Sequence, residues 1–265
     1  MRGRVLICAG SDSGGGAGIQ ADIKTVTMLG GFAATAVTAL TAQNTQGVFG
    51  VIGVPPSFIV QQMRLVLDDI GADAIKTGML HSADVIAAIS GVLAGPAADL
   101  PLVVDPVMVA KGGAPLLEEG AVAALKDKLI ARAAVITPNL PEAEKLCGLV
   151  VRDVAGMRRA AEALLALGCR AVLLKGGHLD GDVVTDLLAT RDGVETFESP
   201  RIRTTNTHGT GCTLASAVAT GLAQAVPLRE AVARAREYVR RAILTAPGFG
   251  RGYGPLNHAH PVEGS

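Results

Sequence analysis

The sequence predicts an α/β fold with a mainly parallel central sheet. Short apolar runs alternate with longer segments of helical period along the whole chain, a pattern that parallel strands covered on both faces satisfy. Composition agrees: 49 % of the 265 residues are hydrophobic, yet there are only two Tyr, five Phe and no Trp, so the core must be built from Ala, Val, Leu and Ile. A chain of this length buries enough surface to need no disulfide or metal staple.

Val5-Leu6-Ile7-Cys8 reads as a first, buried strand, and residues 18–29 follow as a helix. Residues 34–41, small and β-branched, suit another strand. Residues 57–69 are helical, with Phe58, Met63, Leu65 and Ile70 as an apolar stripe. Next come strand 72–77, helix 82–93 and strand 102–104, which ends at Asp105. Helix 118–130, strand 134–136, helices 141–147 and 154–167 and strand 171–174 continue the alternation. The last third holds a hairpin (183–189 with 194–197) and helices 211–225 and 228–244. No repeat, low-complexity tract or linker divides the chain, so residues 1–265 are expected to form one domain. In open sheets of this kind sites lie beyond the carboxyl ends of the strands.

Charge and cysteine usage exclude several classes. Twenty-four basic and 24 acidic residues leave zero net charge, so no global positive field gathers nucleic acid or anionic lipid. Cys8, Cys147, Cys169 and Cys212 form no C-x-x-C pair, as expected of free thiols in a reducing cytosol. The charge-free stretch 25–63 is broken by Gln43, Asn44, Gln46 and Pro55-Pro56 and does not read as a membrane span. Residues 1–4 enter the first strand without the apolar region of a signal peptide. A soluble, cytoplasmic protein is expected, with neither nucleic acid nor membrane as partner.

The chemistry-bearing stretches each admit two readings. Gly10-Ser11-Asp12-Ser13-Gly14-Gly15-Gly16-Ala17-Gly18 joins the first strand to the first helix, as a flexible turn or as a loop that lets backbone N–H groups approach a ligand. It lacks G-x-G-x-x-G spacing, and no Gly-Lys pair exists for a Walker A loop. Asp22 and Gln43 are isolated among apolar neighbours: a carboxylate and a carboxamide suited to a polar heterocycle, or a solvated helix face and a loop amide. Asp105 ends a buried strand. Asn139-Leu140-Pro141-Glu142 is either a capping box or, with Asp105, a carboxylate pair for hydrated Mg²⁺, with Lys175 as a phosphate partner. Thr205-Asn206-Thr207-His208-Gly209-Thr210-Gly211-Cys212 opens a long helix, a ready anion site. Cys212 in its first turn is expected to have a lowered pKa, unless it is a buried structural thiol. His258 and His260 alternate along the tail and are poorly placed to share a metal.

Taken together these residues resemble the bacterial hydroxymethylpyrimidine/phosphomethylpyrimidine kinases of thiamine biosynthesis, within the ribokinase superfamily. The matching segments, in order along the chain, are A-G-S-D-S-G-G-G-A-G-I-Q-A-D-I-K-T, A-L-T-A-Q-N-T, K-T-G-M-L, D-P-V-M, I-T-P-N-L-P-E-A, L-L-K-G-G-H, N-T-H-G-T-G-C-T-L and G-Y-G-P-L-N-H. The resemblance implies a ribokinase-like three-layer αβα sandwich, a homodimer, and two successive transfers of the ATP γ-phosphate. The first goes to the 5-hydroxymethyl group of 4-amino-2-methylpyrimidine, the second to the resulting monophosphate. It also implies roles: Gln43 recognises the aminopyrimidine, Gly10 and Asp22 are pocket residues, and Met79 and Val107 flank the ring. Lys175 contacts nucleotide phosphate, Asp105 and Glu142 associate with Mg²⁺, and Gly209, Thr210 and Gly211 form the anion hole. Cys212 stands where sugar kinases of the superfamily carry an Asp base. Arg236 takes a nucleotide-facing position often held by Lys, keeping the charge but changing the geometry. A pyridoxal kinase, a sugar kinase and a non-catalytic pyrimidine sensor are the rival readings. Cys212 speaks against the sugar kinase, and the presence of Glu142, Lys175 and the Gly-Thr-Gly-Cys loop speaks against the sensor.

Overall fold

The structure, a computed structural model, describes residues 1–262; the last three residues of the expected domain lie outside the described residues. The strands are β1 (Arg4–Ala9), β2 (Phe32–Val37), β3 (Ala39–Asn44), β4 (Gly47–Gly53), β5 (Ala74–Thr77), β6 (Leu102–Val104), β7 (Val135–Ile136), β8 (Ala171–Leu174), β9 (Val183–Thr190) and β10 (Gly193–Pro200). The helices are α1 (Gly18–Met28), α2 (Pro56–Asp69), α3 (Ala83–Leu93), α4 (Ala121–Lys128), α5 (Leu140–Cys147), α6 (Val154–Leu165), α7 (Thr210–Ala223) and α8 (Leu228–Leu244).

Eight strands form one sheet in the order β10-β9-β8-β7-β6-β5-β1-β2. Neighbours from β2 to β8 run parallel, and the β9–β10 hairpin adds an antiparallel edge. Alternation along the strands builds the three layers. In β1, Leu6 and Cys8 face a core shared with Ile59 and Met63 of α2 and Ile86 and Ile89 of α3. Val5, Ile7 and Ala9 face the other way, onto Val26 of α1, Val218 of α7 and Val232 of α8. The predicted three-layer αβα sandwich is therefore present. The chain leaves β1 toward β2 and leaves β5 toward β6, in opposite directions, which opens a crevice at the carboxyl ends of this neighbouring pair.

Three expectations are corrected. The single strand over 34–41 is two: at Thr38, whose hydroxyl donates to the Met79 carbonyl (2.6 Å), the chain leaves the sheet. It then enters a separate antiparallel ribbon, β3–β4. Strand β4 carries Gly47, Gly50 and Gly53 and escapes a hydrophobic pattern. The apolar stripe of α2 is also rotated. Met63 is buried as expected, but Phe58, Leu65 and Ile70 are 53 %, 65 % and 40 % exposed, and Ile59 is buried in their place. Apolar residues surround much of α2, so the helical period fits either face and packing against α3 selects one. Helix α4 is shorter than residues 118–130 and is followed by a 3₁₀ turn at Ile130–Arg132. No helix among the described residues is long and apolar enough to cross a membrane.

Candidate active site

Gly10, Met79, Asp105, Asn139 and Lys175 follow the carboxyl ends of β1, β5, β6, β7 and β8 and line one cleft of about 1280 Å³. The glycine-rich loop at its edge is a built structure. Buried Asp12 accepts from Gly14 N–H (2.8 Å) through Oδ1, and from Ala17 N–H (2.8 Å) and Gly16 N–H (3.1 Å) through Oδ2. Burial alone would raise the Asp12 pKa. His208 and the Ala17 and Gly14 amides outweigh it and hold the carboxyl below its usual range. Alternation in β3 turns Thr41 and Gln43 toward the cleft and leaves Leu40 and Ala42 exposed. Gln43, Gly10, Met79 and Val107 all line the cleft, and an added Cβ on Gly10 would lie 3.0 Å from Met79 Sδ.

The residues expected to form the anion hole present backbone at a helix N-terminus. Gly209 precedes α7 in the left-handed region (φ 85°), where an added Cβ would run into the Gly16 carbonyl, so only glycine fits. Thr210 and Gly211 begin the helix, and a Cβ on Gly211 would lie 3.2 Å from Lys175 Nζ and 3.7 Å from Asp105 Oδ2. Lys175 thus stands against the helix N-terminus, 3.2 Å from Asp105 Oδ1. Burial alone would lower its pKa, but Asp105 and Glu142 outweigh it and hold the ammonium charged.

The capping-box reading of Asn139 and Glu142 holds, and the same carboxylate also reaches the cleft. Asn139 Oδ1 accepts from Glu142 N–H (2.9 Å), and Glu142 Oε2 accepts from Asn139 N–H (2.8 Å), a complete capping box for α5. The same carboxylate is 7 % exposed and faces the cleft. Burial pushes it up to about 7, with Lys175 opposing the shift and Asp105 adding to it. Two buried carboxylates served by one ammonium form a site short of positive charge. That fits a hydrated Mg²⁺ sharing its ligands with phosphate oxygens. No group of three or more His, Cys, Asp or Glu among the described residues could cage a metal unaided.

Two expectations change here. Asp22 does not line the cleft: it is fully buried beneath the wall, bound to Lys76 Nζ (2.8 and 2.9 Å) and to Ser216 Oγ (2.6 Å). It holds Lys76, itself fully buried, at the cleft floor. Burial alone would lower the Lys76 pKa, but Asp22 outweighs it, so the floor holds a charged ammonium neutralised by its buried carboxylate partner. Cys212 is not a low-pKa thiol. Burial pushes it up to about 12, with Lys76 opposing and Asp22 and Asp105 adding.

At the far end Arg236 lines the cleft, but its Nε is committed to Asp186 Oδ2 (2.8 Å) and its guanidinium lies 5.5 Å from the Phe197 ring centre. This wall, which includes Ser199 and Ile243, carries no motif and was invisible before folding. Asp12, Lys76 and His208 were also missed as contributors. Asp12 alone had a local signal, an Asp two residues before a glycine run. His258 is buried, and its Nε2 lies 2.9 Å from Thr213 Oγ1. The Gly250, Gly252 and Gly254 segment straps the ribbon, with Tyr253 N–H on the Thr45 carbonyl (2.8 Å) and the Gly254 carbonyl on His208 N–H (3.1 Å).

Comparison with known proteins adds an independent line. The family model "Phosphomethylpyrimidine kinase" matches residues 12–257. The chain is 56 % identical over 262 residues to the thiamine biosynthesis bifunctional protein ThiED of Geobacter sulfurreducens, covering 99 % of this chain but 53 % of that protein, about half its length. It is 49 % identical over 254 residues to the hydroxymethylpyrimidine/phosphomethylpyrimidine kinase of Streptomyces coelicolor, covering 96 % and 93 % of the two chains. Among solved structures, an ADP complex of Bacillus subtilis pyridoxal kinase superposes with a TM-score of 0.90 at 36 % identity, covering 97 % and 98 %. With fold, cleft and sequence in agreement, the chain belongs to the phosphomethylpyrimidine kinase family.

Proposed function

We propose that residues 1–265 act as one kinase domain that uses ATP to phosphorylate 4-amino-5-hydroxymethyl-2-methylpyrimidine, and then phosphorylates the monophosphate to the diphosphate. One observation carries the reading: a single cleft joins a backbone anion hole, Lys175 and two buried carboxylates to an end lined by Gln43, Met79 and Val107. The first end suits phosphoryl groups and the second a small planar ring bearing a polar edge. The Asp186–Arg236 and Phe197 wall suits the nucleotide.

Phosphoryl transfer depends mostly on positioning and on neutralising charge. Asp105 and Glu142 would hold Mg²⁺ together with phosphate oxygens, and the ion, when bound, supplies charge neutralisation at the transferred group. Lys175 and the amides of residues 209–211 bind the equatorial oxygens. The hydroxymethyl oxygen forms the new bond to phosphorus as the bond to the ADP oxygen breaks. Its proton leaves late through a relay: Cys212, a thiol at the outset, gives its own S–H proton to an oxygen of the transferred phosphoryl group as it takes up the proton of the alcohol. In the second step the acceptor oxygen belongs to a phosphate and brings little or no proton. Leu40, Phe49 and Ile52 of the ribbon are 50 %, 72 % and 70 % exposed, an apolar surface that supports the homodimer reading.

The deciding assay couples ADP release to Mg²⁺-dependent turnover, offering the aminopyrimidine and pyridoxal separately and resolving mono- from diphosphate. Diphosphate from the pyrimidine, abolished by a chelator, is the expected result. Turnover of pyridoxal alone would overturn the assignment of Gln43, Met79 and Val107.

A further inference from the structure

Hydrogen-bond arithmetic around Gln43 is inconsistent with one orientation of its carboxamide and demands the other. Asp12 Oδ2 lies 2.8 Å from His208 Nε2. An ionised carboxylate only accepts, so Nε2 carries a proton and donates it to Asp12. The same Nε2 lies 3.4 Å from Gln43 Nε2, which would set two donors face to face. At the other end of the amide, Gln43 Oε1 lies 3.2 Å from Thr41 Oγ1. The one hydroxyl proton of Thr41 goes to the Ser11 carbonyl at 2.8 Å, which would set two acceptors face to face. Turning the carboxamide by half a turn removes both conflicts together. Oε1 then shares the His208 Nε2–H with Asp12 Oδ2, as the weaker of its two acceptors at 3.4 Å, and Nε2 donates to Thr41 Oγ1.

His208 is held where it must be to enforce this. Its side chain is nearly buried, its backbone N–H donates to the Gly254 carbonyl (3.1 Å), and its ring fills the space over Gly16, where an added Cβ would lie 2.5 Å from Cδ2.

We propose that Asp12 and His208 form a positioning pair that locks the polarity of Gln43, acceptor on the His208 side and donor on the Thr41 side, and thereby determines specificity. The proposal rests on the aminopyrimidine reading above. With the lock in place Gln43 has one acceptor site and one N–H left for the ligand, in fixed order. An aminopyrimidine edge, ring nitrogen beside exocyclic NH₂, matches that order. The 4-oxo ring presents the reverse, a ring N–H beside a carbonyl. Inverting that ring restores the pairing but carries its hydroxymethyl arm away from the anion hole. Without the lock, Gln43 could turn to suit either ring. The pair therefore acts against the deaminated analogue, by leaving its polar edge mismatched.

Two measurements test this. Steady-state kinetics would compare the amino and 4-oxo pyrimidines with the unmodified enzyme and with His208→Phe. The preference for the amino ring is expected to shrink by about tenfold or more, through KM for the pyrimidine and not for ATP. His208→Gln, which can still donate to both partners, is expected to recover part of it. Equal KM increases for both rings, with the preference intact, would make His208 merely structural and overturn the proposal. The second readout needs no substrate: ¹⁵N-histidine NMR of the unmodified protein, with the His208 resonance assigned through either variant that folds. A protonated Nε2 is expected. A bare Nε2 would overturn the lock whether or not the pyrimidine is turned over, so this outcome is separable from failure of the substrate assignment.

Discussion

Cys212 shows how burial can reverse a rule read from local position. A thiol in the first turn of a helix is expected to ionise easily. Here burial, with Asp22 and Asp105 adding and Lys76 opposing, pushes it up to about 12. A preformed thiolate is therefore not the base at neutral pH, and the thiol can only relay, passing its own proton to the transferred phosphoryl group as it takes the alcohol's. Cys212→Ser should slow the first phosphorylation by about a hundredfold, the usual scale of a proton-transfer contribution. The second should change much less, because its acceptor is already largely ionised. Separate assays on the alcohol and the monophosphate decide this, and equal losses would leave Cys212 only a positioning role. Asp22 makes the complementary point: a polar residue on an apolar helix proves to be a buried counter-ion, bonded to both Lys76 and Ser216.

At the scale of elements, the start of α5 serves structure and site with one carboxylate. Gln at position 142 would preserve the capping box while removing the charge, so Glu142→Gln separates the two roles. In metal-free protein Glu142 moves from an ordinary value of 4.5 to about 7 on folding, chiefly through burial. A raised carboxyl holds its proton more tightly when folded. Its contribution to stability is full below about 4.5 and is lost as the pH rises through about 7. Thermal melts in a chelator should show this fall in the unmodified protein and a flatter profile in Glu142→Gln. At pH 8, added Mg²⁺ should raise Tm in the former and have little effect in the latter. The β3–β4 ribbon is the second element with a double role: one face supplies Thr41 and Gln43 to the cleft, the other carries Leu40 into solvent.

For the whole molecule, the crevice follows from topology. Because connections diverge from the β1–β5 pair, loops from five parallel strands reach the same cleft. The apolar outer face of the ribbon extends this to the assembly. If it is covered by a second copy, Phe49→Glu with Ile52→Glu should convert dimer to monomer in sedimentation velocity. KM for the pyrimidine should rise as well, since the same ribbon carries Gln43. A monomeric unmodified protein would refute this.

The α/β class, most elements and the candidate site motifs around Lys175 and residues 209–211 were legible in the sequence because they depend on local chemistry. Alternation and helical period follow from backbone geometry, and glycines before a helix mark an anion site wherever the helix goes. Lys175 and Glu142 could be named because each ends or begins a recognisable element. What only the tertiary structure decided depends on which residues meet across long separations. The Asp22–Lys76 pair spans 54 positions and Asp12–His208 spans 196. No local pattern encodes such pairs, and burial in their company sets the charge state of Cys212 and the orientation of Gln43. The buried face of α2 and the break at Thr38 belong to the same class: each was locally ambiguous, and packing against a neighbour chose between conformations of similar propensity.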